Sequence, residues 1–128
     1  MYMLDTNVCL DFLLGRSVAV ARKIEQAFDR LTVSTITAAE LHVGSRTSQE
    51  PDRDARKVDI FLHGITVAPF DPAAAVAYGE IARTHGVARH GFDRLIAAHA
   101  RALDLTLVTN NERDFAGITG VRIENWAR

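Results

Sequence analysis

Short apolar runs rich in β-branched residues alternate with helix-patterned segments along the whole chain, and few folds accept that order. The strand-like runs are Met1 to Leu4, "TVSTI" at 32–36, "ITVAPF" at 65–70, "LTLVTNN" at 105–111 and "VRIENW" at 121–126. Between them, helical spacing predicts helices over 6–15, 18–31, 37–46, 50–64, 71–86 and 92–104. Thr6 or Asn7 can cap the first of these, and Asp71 the fifth. Strands that alternate with helices are joined by right-handed crossovers, which gives a parallel sheet covered on both faces. The fold class is therefore α/β, and 3-2-1-4-5 is the strand order expected if the sheet is doubly wound. In that order the chain reverses between strands 1 and 4. Open α/β sheets bind ligands at such a reversal, beyond the carboxyl ends of the strands.

Composition sets the outer bounds. A chain of 128 residues favours one domain over 1–128, able to bury a core without disulfides. The single cysteine, Cys9, excludes an intramolecular disulfide and suits a reducing, cytoplasmic setting. With 15 basic and 16 acidic residues, the protein does not coat nucleic acid by bulk charge, though a local basic patch stays open. No charged segment precedes an apolar one as in a signal peptide, and no apolar run reaches the ~20 residues of a membrane helix.

Four acids fall at or near the expected crevice. Asp5 ends strand 1; it could cap the first helix, but Thr6 and Asn7 can do that too. Glu40 closes "TAAE", which fits a capping box begun by Thr37, yet it also lies beside a stripe of Ile36, Ala39 and Val43. Asp93 opens a helix, where the macrodipole favours a carboxylate. Asp114 lies in "NNERDF", read as a loop. Carboxylates crowded into one cleft repel unless a cation neutralises them. Hard oxygen ligands without Cys or clustered His select Mg²⁺ or Mn²⁺ over zinc. Such a site activates water and neutralises a phosphate.

The stretches "MLDTNVCLDFL", "STITAAELHVG", "FDRLIAAHAR" and "LVTNNERDF", closing on "VRIENW", resemble the PIN-domain ribonucleases, and most closely the VapC-type toxins of bacterial toxin–antitoxin pairs. The resemblance covers essentially the whole chain. It implies a three-layer α/β/α sandwich, a homodimer, Mg²⁺- or Mn²⁺-dependent cleavage of structured RNA of the tRNA or rRNA class, and a VapB-type antitoxin that covers the cleft, with higher hetero-oligomers as an extension. By motif, Asp5, Glu40 and Asp93 are the metal-holding acids. Thr6, Asn7, Thr109, Asn110 and Asn111 stand as supporting polar groups. Many relatives carry an Asp where this chain has Asn111; a subset shows the same "TNN" with an acid three residues on, here Asp114. Relatives often read Gly-Pro before the third acid, whereas this chain reads His90-Gly91.

Residues 81 to 101 are locally basic, with Arg83, Arg89, Arg94, Arg101 and three histidines against Asp93 alone. Arg89, His90 and Arg94 are the candidate RNA contacts; a solvated helix face is the plainer alternative. His99 shares a helical side with Ile96 and Leu103, as a core or rim histidine would. Two other functions compete with nuclease activity. One is a catalytically inactive PIN-like binding module, suggested by Asn111. The other is a receiver-like Mg²⁺-binding signalling domain, which would need a late lysine where this chain has only Lys23 and Lys57.

Overall fold

The structure is a computed structural model that describes residues 1–87 and 92–128. Five parallel strands form one sheet: β1 (Tyr2–Leu4), β2 (Leu31–Ser34), β3 (Thr66–Ala68), β4 (Thr106–Val108) and β5 (Ile123–Glu124). Their order is β3-β2-β1-β4-β5, the order expected of a doubly wound sheet. Register places Tyr2 against both Leu31 and Thr106, so β1 is central, with β2 on one side and β4 on the other. Two helices intervene before each of β2, β3 and β4. These are α1 (Thr6–Leu13) and α2 (Val18–Gln26), α3 (Thr35–Arg46) and α4 (Pro51–His63), then α5 (Pro72–His85) and α6 (Phe92–Ala102).

Adjacent residues of a strand face opposite sides of its sheet. Here that alternation divides the core in two. Leu4 and Val108 pack with Val8, Cys9, Val20, Ile24, Leu41 and Phe61 from α1 to α4. Their neighbours Met3 and Leu107 pack instead with Ala77, Ile81, Ile96 and Phe115. The result is the three-layer sandwich, with the strands' carboxyl ends left at one rim.

Several expected boundaries move, each for a local reason. The second helix stops at Gln26, and a 3₁₀ turn at Phe28–Arg30 brings Leu31 in as the first residue of β2. The third helix begins at Thr35, not Thr37, because Ser34 Oγ accepts from the Ile36 amide and caps it. Asp5, not Thr6 or Asn7, caps α1. The "NNERDF" loop holds a turn of helix, α7 (Glu112–Phe115), which tucks Phe115 into the core. Among the described residues no helix is long and apolar enough to cross a membrane.

Two isoleucines make the layering testable. Ile24 is fully buried, whereas Ile60 on α4 is 75% exposed. Truncating Ile24 to Ala should cost about 2–5 kcal/mol in urea unfolding, and Ile60→Ala less than about 0.5. Equal losses at the two positions would contradict the packing.

Candidate active site

Asp5 is 2% exposed although it carries a carboxylate. Leaving water raises its pKa first, and the charges of Asp93 and Glu40 raise it further. Two hydrogen bonds act against them. The Thr6 amide donates to Oδ1 at 2.7 Å, and the Thr109 hydroxyl donates to Oδ2 at 3.0 Å. The balance leaves Asp5 at about 6, against 3.8 for an unperturbed aspartate. Asp5 is thus both the cap of α1 and the buried acid of the cleft.

Glu40 reaches the same place from α3. The Thr6 hydroxyl donates to its Oε1 at 2.7 Å and lies 3.1 Å from the Thr37 hydroxyl. The capping-box reading therefore fails: Thr37 is buried inside the first turn of α3 and caps nothing. The Ile36, Ala39 and Val43 stripe is also not the core face of α3. That face is Thr37, Ala38, Leu41 and Ser45, because α3 starts two residues earlier and this rotates the buried side. The stripe instead lines, with Glu40 and Phe92, a surface recess of about 280 Å³.

Asp93 stands in the first turn of α6, and its charge is felt at Asp5. Asp93 from the first turn of α6 and Glu40 from the second turn of α3 thus both act on Asp5. Among the described residues no three His, Cys, Asp or Glu side chains already stand close enough to share one ion. The acids act on one another through the cleft without collapsing onto one point.

The end of β4 supplies the polar frame. Thr109 is fully buried, and its Oγ1 both donates to Asp5 and accepts from the Asn111 amide at 3.0 Å. Asn111 Nδ2 in turn donates to Asp114 Oδ2 at 2.6 Å. Asp114 is exposed in α7 and connects to Asp5 only through this chain of bonds. Asn110 Nδ2 donates to Asp11 Oδ2 at 2.6 Å, and its buried Oδ1 has no partner. Asp11 went unnoticed in the sequence; only the pairing of β1 with β4 brings α1 beside Asn110. Asn7 is exposed on α1.

The basic stretch is less uniform than its composition suggested. Arg101 is paired with Glu80 at 2.8 Å, His85 accepts from the Thr119 amide, and His99 is buried. Arg94 is half-buried, with Nη1 lacking a hydrogen-bond partner. Arg89 and His90 lie outside the described residues. Cys9 is no nucleophile: burial, and then Asp5, push its thiol pKa upward.

A family model for the PIN domain matches residues 2–120. The chain belongs to the PIN-domain family. Similarity extends over nearly its full length to curated relatives. It is 35% identical to the tRNA(fMet)-specific endonuclease VapC of Shigella flexneri, covering 98% of each chain. It is equally identical to ribonuclease VapC2 of Haemophilus influenzae, over 98% of this chain and 97% of the relative. Among solved structures, a chain of the DNA-bound VapBC complex from Salmonella typhimurium superposes with a TM-score of 0.90. That match is at 34% identity and covers 98% and 97% of the two chains. A chain of VapBC2 from Rickettsia felis, bound to a promoter DNA fragment, gives 0.87 at 32% identity, covering 98% of each. The resemblance to VapC-type PIN domains is borne out.

Asp5 links this cleft to stability. The folded protein holds the Asp5 proton up to about pH 6, whereas the unfolded chain releases it near 3.8. Unfolding therefore releases a proton between those values, and stability falls as pH rises through that window. The loss is complete above pH 6 and amounts to about 3 kcal/mol. In chelator, Asp5→Asn should raise the Tm at pH 7.5, and the gain should shrink toward zero by pH 4. A gain that does not vary with pH would contradict the assignment.

Proposed function

We propose that this PIN domain is a divalent-cation-dependent endoribonuclease, the toxin of a toxin–antitoxin pair, using Mg²⁺ or Mn²⁺ and cutting structured RNA of the tRNA or rRNA class. The observation that carries this is the buried Asp5, held rigidly and pressed by Glu40 and Asp93 in one cleft. The names of its relatives, ribonuclease and tRNA-specific endonuclease, support the same reading.

The residues fit the cation. Its ligands would be Asp5, Glu40 and Asp93, hard oxygens with no thiolate or imidazole among them. Positive charge there offsets the repulsion that raises Asp5. When bound, the cation supplies a more acidic water and neutralises charge on the phosphoryl group. The chain's own residues do the rest. Thr6 orients Asp5 through its amide and Glu40 through its hydroxyl. Thr109 orients Asp5 from the other side and ties Asn111 to it. Arg94, Arg89 and His90 would be the side chains that meet backbone phosphates. Water oxygen bonds to phosphorus, and the bond to the 3′-oxygen breaks as that oxygen takes a proton. The products carry 5′-phosphate and 3′-hydroxyl ends, and the 2′-hydroxyl takes no part. Asp114, held by Asn111, stands in for the acid that many relatives have two residues after the threonine.

The partner reading follows from charge. A cleft of carboxylates attracts an Arg or Lys from an inhibitor. The structural neighbours come from VapBC complexes, which supports a VapB-type antitoxin here, with homodimers of this chain inside a larger assembly. The exposed Val43 and Phe92 around the recess suit the dimer face. Asn111 favours one alternative, a PIN module that binds RNA without cutting it.

Purified protein with Mn²⁺ should cut tRNA or rRNA and leave ends that ligase rejoins without prior phosphorylation. Asp5→Asn should lower the rate by about 10³-fold or more while the fold survives. Wild-type protein that retains RNA but never cuts it would favour the binding module, and equal cleavage by Asp5→Asn would exclude the nuclease.

The fourth acidic position has its own test. Asp114→Asn should slow cleavage by about 10-fold, and adding Asn111→Asp should recover part of it. No effect of either change would remove Asp114 from the site.

A further inference from the structure

His99 is 1% exposed and takes no part in the cleft as described so far. It lies on α6 six residues after Asp93, about 9 Å along the helix axis. Its Nδ1 is 2.8 Å from Ser34 Oγ. Ser34 ends β2 and caps α3, because the same Oγ accepts from the Ile36 amide at 3.0 Å. A serine hydroxyl has one proton to give. With a lone pair already engaged by Ile36, the arrangement that satisfies Ser34 has its O–H donating to Nδ1, which puts the ring proton on Nε2. Burial disfavours the protonated ring, in keeping with Nδ1 as an acceptor. Nε2 has no hydrogen bond of normal geometry, although the Pro69 carbonyl favours a proton on the ring. Phe70 closes the pocket edge-on at 5.3 Å.

We propose that His99 is a positioning residue: through Ser34 it fixes α6 against the start of α3, and so sets Asp93 at its height relative to Glu40 and Asp5. The proposal rests on reading those three acids as one site. The apolar contacts of α6 come from Ile96, Ala97, Ala98 and Ala100, mostly small side chains. Hydrophobic burial has no direction, so small alanine side chains specify the helix's height less sharply than a hydrogen bond does. A buried hydrogen bond has direction and tolerates little displacement. The bond joins the helix that carries one acid to the cap of the helix that carries another. The third, Asp5, ends the strand next to β2. A displacement of about 1 Å in a catalytic group can cost on the order of 100-fold in rate.

Three variants separate positioning from packing. His99→Leu keeps the volume and removes the acceptor. His99→Asn returns an oxygen at the position of Nδ1, able to accept from Ser34. Ser34→Ala removes the other end. Two quantities are read: kcat and KM for RNA cleavage with Mn²⁺, and the midpoint of the rise in Tm on titrating Mn²⁺ alone. His99→Leu should lower kcat by about 10–100-fold with KM within threefold, and shift the Mn²⁺ midpoint several-fold higher. His99→Asn should recover both to within about threefold. The double variant His99→Leu, Ser34→Ala should lose little beyond Ser34→Ala alone, because both changes break one bond. His99→Leu that cleaves within twofold of wild type overturns the proposal, as does His99→Asn that fails as badly as His99→Leu. If wild type cleaves no RNA, the nuclease reading falls by itself. The Mn²⁺ midpoints then decide, and equal values for wild type and His99→Leu overturn the positioning role.

Discussion

A carboxylate moved out of water loses the solvation that kept it charged, and two neighbouring acids make the charge harder still to hold. Asp5 bears both penalties at the end of the central strand. The surrounding polar structure answers them. The first amide of α1 and the hydroxyl that ends β4 each place a donor on one of its oxygens. Because β1 pairs with β4, the second donor comes from a residue 104 positions away in the chain. The sheet order is thus part of what keeps the acid ionisable. A strand order that separated β1 from β4 would leave Asp5 buried with only its helix cap.

That dependence explains which parts of the protein were legible in its sequence. The α/β class and the parallel sheet follow from alternation and handedness, which are strong regularities; the particular strand order does not, and rested on the resemblance to PIN domains. Asp5 and Asp93 were legible as candidates because each stands where a strand has just ended or a helix has just begun, and Glu40 because it matched a family motif. Their partners were less so. Thr6 bridging Asp5 to Glu40, and Asp11 accepting from Asn110, depend on side-chain directions between elements far apart in sequence. No periodicity carries that information.

The misreadings around α3 share one origin. Capping signals are short, and "STITAAE" offers several equivalent caps within four residues. Ser34 takes the role because β2 ends there, held in register with Ala68 of β3. Once α3 starts at Thr35, Glu40 turns toward Thr6, and Ala39 and Val43 beside it are exposed while Ile36 still packs partly against the core. A shift of two residues in one helix start therefore decides whether Glu40 caps its own helix or joins the cleft. The same serine that settles this start also meets His99, so the cap and the placement of α6 depend on one hydroxyl.

The asparagine at 111 fits the electrostatics of this cleft. With a pKa of about 6, Asp5 is ionised about tenfold over its acid form at pH 7. A further carboxylate within a few ångströms raises a neighbour by about one unit or more. A carboxylate at 111, on the backbone whose amide already bonds Thr109, would add to the charges that raise Asp5. An amide there adds no charge, and its Nδ2 holds Asp114, an exposed acid whose charge is screened by solvent. Asp114 is thereby held by Asn111 at the exposed edge of α7. The amide at 111 thus spares Asp5 a third neighbouring charge beyond those of Asp93 and Glu40.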